Sequence, residues 1–252
     1  MRVAIITDTF LPAINGVVTS IQVYRAELER QGHQVFIFAP TYSHAPETDE
    51  RVFRFPSIPF PFALMREQRI VFPSLRVFRQ LAKLHVDVIH SQVPSFSGAW
   101  ALLLSRFLRI PHLHTYHTHW MEYTHYMPLP RWMSKKAVQW ISQHYCGRCQ
   151  LVLSPSKGMR EALIEMGVDA PIRVLPTGIH LPSVRQIRTP DELRKRYPIP
   201  SRERLRNKRI LSYVGRIGRE KNLRFLMRSL TVLLEHRDDL HFLLVGDGPD
   251  RV

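Results

Sequence analysis

Short apolar runs alternate with longer helical patterns along the first 180 residues. Several runs are almost wholly apolar, which is typical of strands buried on both faces. Between the first two runs, apolar residues recur at helical spacing until Gly32 ends the pattern. This alternation predicts an α/β fold with a doubly wound parallel sheet. The predicted strands are 2–7, 34–39, 86–91, 112–116, 150–155 and 172–175, and further helices are predicted at 97–108 and 156–166.

A segment rich in Pro and Arg interrupts this rhythm after residue 176. From Ile210 onward the chain again predicts a strand, a turn, a helix and a strand. We therefore expect a Rossmann-like domain over 1–180, a linker over 181–208 with a short helix at 191–197, and the start of a second Rossmann-like domain over 209–252. Two strands and one helix are too few to bury an open sheet, so the second domain is expected to be incomplete in this chain.

The charge balance favours anionic partners. The 252 residues include 36 Lys and Arg against 21 Asp and Glu, which gives a net charge of +15. Nucleic acid, an anionic membrane face and phosphorylated ligands all suit such a chain. Two cysteines exclude a disulfide scaffold. The N-terminus does not resemble a signal peptide, and the longest apolar run is about half of what spans a bilayer, so a cytoplasmic protein is expected.

The first candidate site is a basic turn in the second domain. Gly215 and Arg216 follow the strand, and Lys221 precedes the helix. Backbone N–H groups, the helix dipole and two cations would all favour a bound diphosphate there. The competing interpretation is a set of solvated basic residues, although positive charge at a helix N-terminus is unfavourable. Gly246, Asp247 and Gly248 end the next strand and either line the same cleft or form an ordinary turn.

The second candidate site follows strands of the first domain. Asn15 and Gly16 come after the first strand, where a glycine lets the backbone approach a phosphate closely; an ordinary turn is equally compatible. His117 and Thr118 follow a later strand within a run that holds four histidines in eight residues. A metal site is disfavoured because no carboxylate or cysteine cluster completes it. We expect His117 to face the cleft and to donate to a sugar hydroxyl or a developing charge. The competing interpretation is histidines without chemical consequence.

Basic and aromatic residues alternate over 53–62, 65–83 and 131–140. This pattern suits either an amphipathic membrane-surface helix or an ordinary helix with a solvated basic face. Nucleic acid is a third option, although no recognisable binding motif accompanies the charge. Cys146 and Cys149 form a lone C-x-x-C pair and are interpreted as incidental free thiols.

Together these motifs resemble those of the family 4 retaining glycosyltransferases, which have the GT-B fold of two Rossmann-like domains. The motifs that carry the resemblance are Phe10-Leu11-Pro12 with Asn15-Gly16-Val17-Val18, Thr115-Tyr116-His117-Thr118, Pro176-Thr177-Gly178-Ile179, Tyr213-Val214-Gly215-Arg216 with Glu220-Lys221-Asn222, and Val245-Gly246-Asp247-Gly248-Pro249. Residues 58–62 and the basic stretch after them look most like bacterial diacylglycerol glucosyltransferases, with phosphatidylinositol mannosyltransferases second.

The resemblance implies an enzyme that moves a hexose, expected to be glucose from a UDP sugar, to a membrane lipid such as diacylglycerol with retention at the anomeric carbon. It implies that Gly16 lies near the donor phosphates, that His117 contacts the transferred sugar, and that Arg216 and Lys221 hold the diphosphate. Neither metal nor cofactor is implied, and neither is specific nucleic acid. The implied partners are the nucleotide sugar, the lipid and the anionic inner face of the plasma membrane.

The family also carries a pair of glutamates, seven residues apart, in a later part of the second domain. Those positions lie beyond this chain, so the 252-residue polypeptide is itself expected to be inactive. Transfer from GDP-mannose to phosphatidylinositol and transfer to a soluble sugar or polysaccharide remain alternatives. A non-catalytic basic binding module is the alternative from another class.

Overall fold

The computed structural model describes residues 1–43, 49–60, 68–127, 129–179, 192, 208–248 and 250–251, with the backbone alone for Tyr126. The chain forms two compact units, Met1–His180 and Leu181–Val252. Apart from Glu192, the helix predicted at 191–197 lies outside the described residues, as do residues 61–67 of the basic, aromatic segment and Pro249 of the last motif.

The first unit alternates strands and helices, as the apolar runs predict. In chain order its elements are β1 (Arg2–Ile6), α1 (Gly16–Arg30), β2 (Gln34–Pro40), β3 (Val52–Phe55), β4 (Ser57–Pro59), β5 (Arg69–Val71), α2 (Leu75–Lys83), β6 (Val88–Ser91), α3 (Phe96–Leu108), β7 (His112–Thr115), a 3₁₀ segment (Trp120–Tyr126), α4 (Arg131–Cys146), β8 (Leu151–Ser154), α5 (Lys157–Glu165) and β9 (Ile172–Val174).

Seven of these strands form one parallel sheet in the order β3-β2-β1-β6-β7-β8-β9. Strand β1 lies inside the sheet, where Ile5 pairs with Ile37 of β2 and with His90 of β6. The six strands predicted from the sequence all belong to this sheet, and the predicted α/β class with a large parallel sheet is confirmed.

Helices cover the sheet on both faces, which explains why β1 and β2 are almost wholly apolar. Alternate residues of β1 face opposite sides: Ala4 and Ile6 pack with α2 and α3, whereas Val3 and Ile5 pack with α1. A third buried cluster joins α4 and α5 to β8 through Tyr145, Cys146, Val152, Leu163 and Met166.

Three strands were missed by the sequence interpretation, which assigned 53–62 and 65–83 to a basic, aromatic pattern. Phe55 of β3 is 2% exposed, and the ring of Phe53 stacks on Phe38 with centroids 5.0 Å apart. Strands β4 and β5 form a separate antiparallel pair that contributes the buried Val71. Part of that pattern is therefore core, because a short strand at the sheet edge places alternate aromatic residues against the neighbouring strand.

The second unit contains β10 (Arg209–Val214), a 3₁₀ turn (Arg219–Lys221), α6 (Leu223–His236) and β11 (Leu240–Val245). Strands β10 and β11 pair in parallel, as a strand–helix–strand unit requires. Ile217 and Leu230 are buried. Among the described residues, no helix is long and apolar enough to cross a bilayer.

Candidate functional site

His117 lies just beyond the carboxyl end of β7, at the edge of the sheet where ligands bind in doubly wound folds. Its Nε2 atom is 2.7 Å from Oε1 of Gln92, which follows β6, the strand beside β7. Burial lowers the pKa of His117 to about 4, because a charged imidazolium would lose its hydration. At neutral pH this side chain is therefore a neutral hydrogen-bonding group and not a fixed cation.

Gln92 is a site residue that the sequence interpretation missed. It is 1% exposed, and within the described part of the chain its Nε2 atom has no hydrogen-bond partner. With its carbonyl oxygen facing His117, Gln92 accepts a hydrogen bond from Nε2–H, which leaves the lone pair of the neutral imidazole on Nδ1. The signal available in the sequence was weak: a polar residue directly after a predicted strand.

The loop between β1 and α1 is held by its asparagine. Oδ1 of Asn15 accepts hydrogen bonds from the backbone N–H groups of Val17 at 3.1 Å and Val18 at 3.0 Å. Its Nδ2 donates to Oγ1 of Thr9 at 2.9 Å. Asn15 is therefore the N-cap of α1 and ties the helix to the end of β1. A Cβ placed on Gly16 would meet nothing within 4 Å, so the first residue of α1 borders open space.

Asp8 is a second residue that the sequence interpretation missed. The side chain is buried at the end of β1, and its Oδ1 accepts the backbone N–H of Ser97 at 2.9 Å. It thereby caps α3, whose own N-cap Ser95 makes no side-chain capping bond in the described structure. Burial raises the pKa of Asp8 to about 7, and the hydrogen bonds from Ser97 only partly offset this loss of hydration.

Two other histidines of the run, His112 and His114, are structural. His112 and His114 are fully buried on one face of the sheet, where both contact Oγ of Ser91, at 2.8 and 2.9 Å. The same hydroxyl accepts a bond from the OH of Tyr145 at 2.8 Å. On the other face, His90 bonds Thr115 at 2.7 Å. Burial lowers the pKa of His112 to about 4 and that of His90 to about 3, so these rings act as neutral bridges within the core.

In the part of the chain that the structure describes, no group of three or more His, Cys, Asp or Glu side chains is arranged so that it could hold a metal ion. Cys146 and Cys149 are buried free thiols. Burial raises the pKa of Cys149 to about 12, which keeps the thiol protonated and unreactive. Thr118 lies in the turn after β7, where its carbonyl accepts the N–H of Trp120.

The candidate diphosphate turn packs directly on the turn after β11. The N–H of Gly215 donates to Val245, and the N–H of Ile217 donates to Asp247, both at 2.9 Å. A Cβ on Gly246 would lie 1.8 Å from the carbonyl oxygen of Gly215, and one on Gly248 would lie 2.1 Å from that of Ile217. The structure thus brings Gly215, Gly246 and Gly248 together through backbone contacts, and these contacts leave no room for a side chain at Gly246 or Gly248.

The charged side chains of this site make fewer close contacts than the glycine turns do. Nε of Arg216 is 3.9 Å from Glu220, and Lys221 is exposed at the end of the 3₁₀ turn. Asp247 accepts the N–H of Gly248 at 2.8 Å and lies 3.5 Å from Arg251. At the start of α6 a cavity of about 900 Å³ is lined by Arg219, Arg224 and Arg228 among others. These three arginines were not among the predicted site residues, although they lie in and just after the predicted basic turn.

Comparison with known proteins gives a consistent result. Residues 14–182 match Glycosyltransferase Family 4. The chain is 33% identical over 256 residues to the alpha-monoglucosyldiacylglycerol synthase of Streptococcus pneumoniae (strain ATCC BAA-255 / R6), covering 99% of this chain and 56% of that protein. It is 31% identical over 262 residues to the GDP-mannose-dependent alpha-mannosyltransferase of Mycolicibacterium smegmatis, covering 100% of this chain and 64% of that protein.

The solved structure of sucrose-phosphate synthase from Thermosynechococcus elongatus superposes with a TM-score of 0.61 at 19% identity, over 100% of this chain and 64% of that one. This likeness concerns the fold. The chain spans little more than half of the first relative's length and just under two thirds of the second's.

Proposed function

The chain belongs to glycosyltransferase family 4, and on that premise we propose that the protein transfers a hexose from a nucleotide sugar to a membrane lipid. The proposed donor is a UDP sugar, with glucose as the transferred group, and the proposed acceptor is diacylglycerol. The names of the relatives support this choice, since the Streptococcus pneumoniae protein is a monoglucosyldiacylglycerol synthase.

The observation that carries the proposal is the arginine-lined cavity of about 900 Å³ at the N-terminus of α6. A helix N-terminus presents unpaired N–H groups and a positive dipole end, and guanidinium groups bind phosphate oxygens through paired hydrogen bonds. A nucleoside diphosphate meets both requirements. We assign Arg216 and Lys221 to the diphosphate as well, where their charge would stabilise the leaving group as the glycosidic bond breaks.

In the first unit, we assign His117 to the transferred sugar and Gly16 to the donor phosphates. The contact between His117 and Gln92 changes the expected role of the imidazole. With Nε2–H donated to Gln92, the free lone pair on Nδ1 would accept a hydrogen bond from a sugar hydroxyl, whereas the sequence led us to expect a donor. The cations of the second unit would take the place that a metal ion has in other transferases, so the proposed reaction needs no metal and no cofactor.

The likeness to a GDP-mannose-dependent mannosyltransferase supports a second candidate, transfer of mannose to phosphatidylinositol. Both candidates place the protein in the cytoplasm, at the inner face of the plasma membrane. They differ in the base of the donor and in the headgroup of the acceptor, so one screen separates them.

The test is a transfer assay with the full-length protein, radiolabelled UDP-glucose or GDP-mannose, and acceptor lipids dispersed in detergent micelles. Labelled glucosyldiacylglycerol that an α-glucosidase cleaves would support the first candidate, and a labelled mannolipid the second. Activity should persist in EDTA. Transfer to soluble sugars alone would refute a lipid acceptor. An inert protein that still binds anionic surfaces would indicate a non-catalytic module.

A further inference from the structure

Helix α4 carries an aromatic and basic stripe that the proposed chemistry leaves unused. One side of the helix packs into the first unit through its buried residues, Ser134, Val138, Ser142, Tyr145 and Cys146. The opposite side carries Trp132, Lys136, Trp140 and His144 at intervals of four residues. Trp132 is 63% exposed and Trp140 is 59% exposed. Two large indoles left in water on one helix face are costly and call for a partner.

Contacts within the stripe hold the two indole rings in place. Nζ of Lys136 lies 5.6 Å from the ring centroid of Trp132, and the ring of His144 stacks on Trp140 with centroids 4.3 Å apart. The two tryptophans are separated by about 12 Å along the helix axis, which follows from eight residues at the helical rise. The stripe therefore offers two aromatic anchors on one line, with a cation between them.

The stretch of sequence that contains the stripe carries charge of a single sign. From Tyr123 to Arg160 the sequence contains no Asp and no Glu. The same interval contains six cations, Arg131, Lys135, Lys136, Arg148, Lys157 and Arg160. A surface of this kind attracts an anionic partner over roughly a Debye length, about 8–10 Å at ordinary salt.

We propose that this face of α4, from Trp132 to His144, is the surface through which the protein lies on an anionic lipid bilayer. Indole rings favour the headgroup boundary, where the ring is in apolar surroundings and the N–H meets polar groups. Lysine side chains beside them reach the lipid phosphates. Met133 and Ile141, 39% and 41% exposed, flank the stripe and suit acyl chains, whereas a nucleic acid backbone offers them no apolar partner.

The position of α4 suits an enzyme that takes its acceptor from the membrane, and to that extent the inference rests on the proposed function. Because α4 follows β7, its first turn lies toward the carboxyl edge of the sheet, the edge at which His117 is found. The end of the stripe that carries Trp132 is therefore the end closer to that edge.

The test is co-sedimentation of the intact 252-residue chain with vesicles of phosphatidylcholine alone or mixed with phosphatidylglycerol. Lys135→Gln with Lys136→Gln should lower the partition coefficient on anionic vesicles by roughly 30-fold, since each cation near the surface contributes about fivefold. Trp132→Gln with Trp140→Gln should lower it by about tenfold or more. Lys208→Gln with Arg209→Gln, at the exposed start of β10, removes the same charge elsewhere and should stay within about twofold of the parent chain.

Fluorescence provides the second measurement. In a variant that keeps Trp132 and Trp140 but carries Phe at the two other tryptophans, emission should be quenched by vesicles with brominated acyl chains. Equal binding by the parent chain and the Trp132/Trp140 variant would overturn the inference. So would loss of thermal stability without loss of binding, because the face would then be covered by protein. Tighter binding of an oligonucleotide duplex than of vesicles through the same residues would also overturn it.

The proposed function can fail independently of this inference. Transfer to detergent-dispersed lipid needs no bilayer, so the α4 variants of the full-length protein should retain it. Vesicle binding that depends on Trp132 and Trp140, in a protein without lipid transferase activity, would support the surface and refute the function. Lipid transfer by a protein whose vesicle binding is unchanged in the α4 variants would support the function and refute the surface.

Discussion

Replacement of Asp8 by asparagine should make the protein more stable, and the gain should grow with pH. Burial raises the pKa of Asp8 from 3.8 to about 7. Between those values the unfolded chain has released the proton while the folded chain still holds it, so rising pH lowers the free energy of unfolding. A shift of about three units at 1.36 kcal/mol each gives a loss of about 4 kcal/mol between pH 4 and 7.

The asparagine side chain of the Asp8→Asn variant would keep the acceptor for the N–H of Ser97, at 2.9 Å in the parent protein, but would have no proton to lose. The cap of α3 should therefore survive while the pH-dependent cost disappears. Only above about pH 7, where folded Asp8 is ionised, does the parent gain a carboxylate–dipole interaction of about 0.3–2 kcal/mol that the variant lacks, and this reduces the gain there.

The assay is urea denaturation of the parent and of Asp8→Asn at intervals between pH 4 and 8, followed by circular dichroism. The difference between the two free energies of unfolding cancels the contributions of the buried histidines, which both proteins share. Asp169→Asn, at an exposed carboxylate, is the matched control and should follow the parent at every pH. A difference for Asp8→Asn that is constant with pH, or that falls as pH rises, would refute the assignment of a buried protonated carboxyl.

Three further predictions concern the candidate site. Gly246→Ala should disrupt the second unit and abolish nucleotide binding, because the new Cβ would lie 1.8 Å from a backbone oxygen of the facing turn. The control Gly158→Ala, in open space, should be neutral or slightly stabilising, and calorimetry of both variants checks this. His117→Ala in the full-length protein should cut turnover by roughly 10²–10³ with little change in the unfolding midpoint, and near-normal turnover would remove this residue from the site. Arg216→Ala and Lys221→Ala should each weaken nucleoside diphosphate binding by roughly 10–100-fold in titration calorimetry, while binding of the nucleoside without phosphates stays unchanged. Equal losses for both ligands would contradict the assignment of these residues to the diphosphate.

The sheet was predictable from the sequence because its strands are buried on both faces. β1 and β2 are continuous apolar runs, and Asn15 and Ser156 stand where helix N-caps are expected. β3 was not predicted because it is short and contains Arg54, whose guanidinium donates hydrogen bonds to backbone oxygens. Local periodicity does not reveal an edge strand whose burial comes from residues distant in the chain.

The candidate site was only partly predictable for a related reason. His117 and the glycine turns stand at strand ends, so their positions follow from topology. Asp8 and Gln92 also stand at strand ends, but their importance comes from burial and from partners 89 and 25 residues away, Ser97 and His117. The sequence showed that a polar side chain was present at each position and did not show which distant group it would meet.

In the second unit, the facing glycine turns form the backbone framework, and different residues are assigned to ligand binding. The turns at 215–217 and 246–248 are joined to each other by backbone hydrogen bonds, while the side chains of Tyr213 and Asp247 each make a hydrogen bond within one turn. The arginines that line the adjoining cavity belong instead to the 3₁₀ turn and to α6. These arginines can therefore be replaced, in evolution or by design, to suit another nucleotide while the backbone of the two turns stays unchanged. Ligand preference should thus be readily altered at Arg219, Arg224 and Arg228, whereas Gly246 and Gly248 should tolerate almost no change.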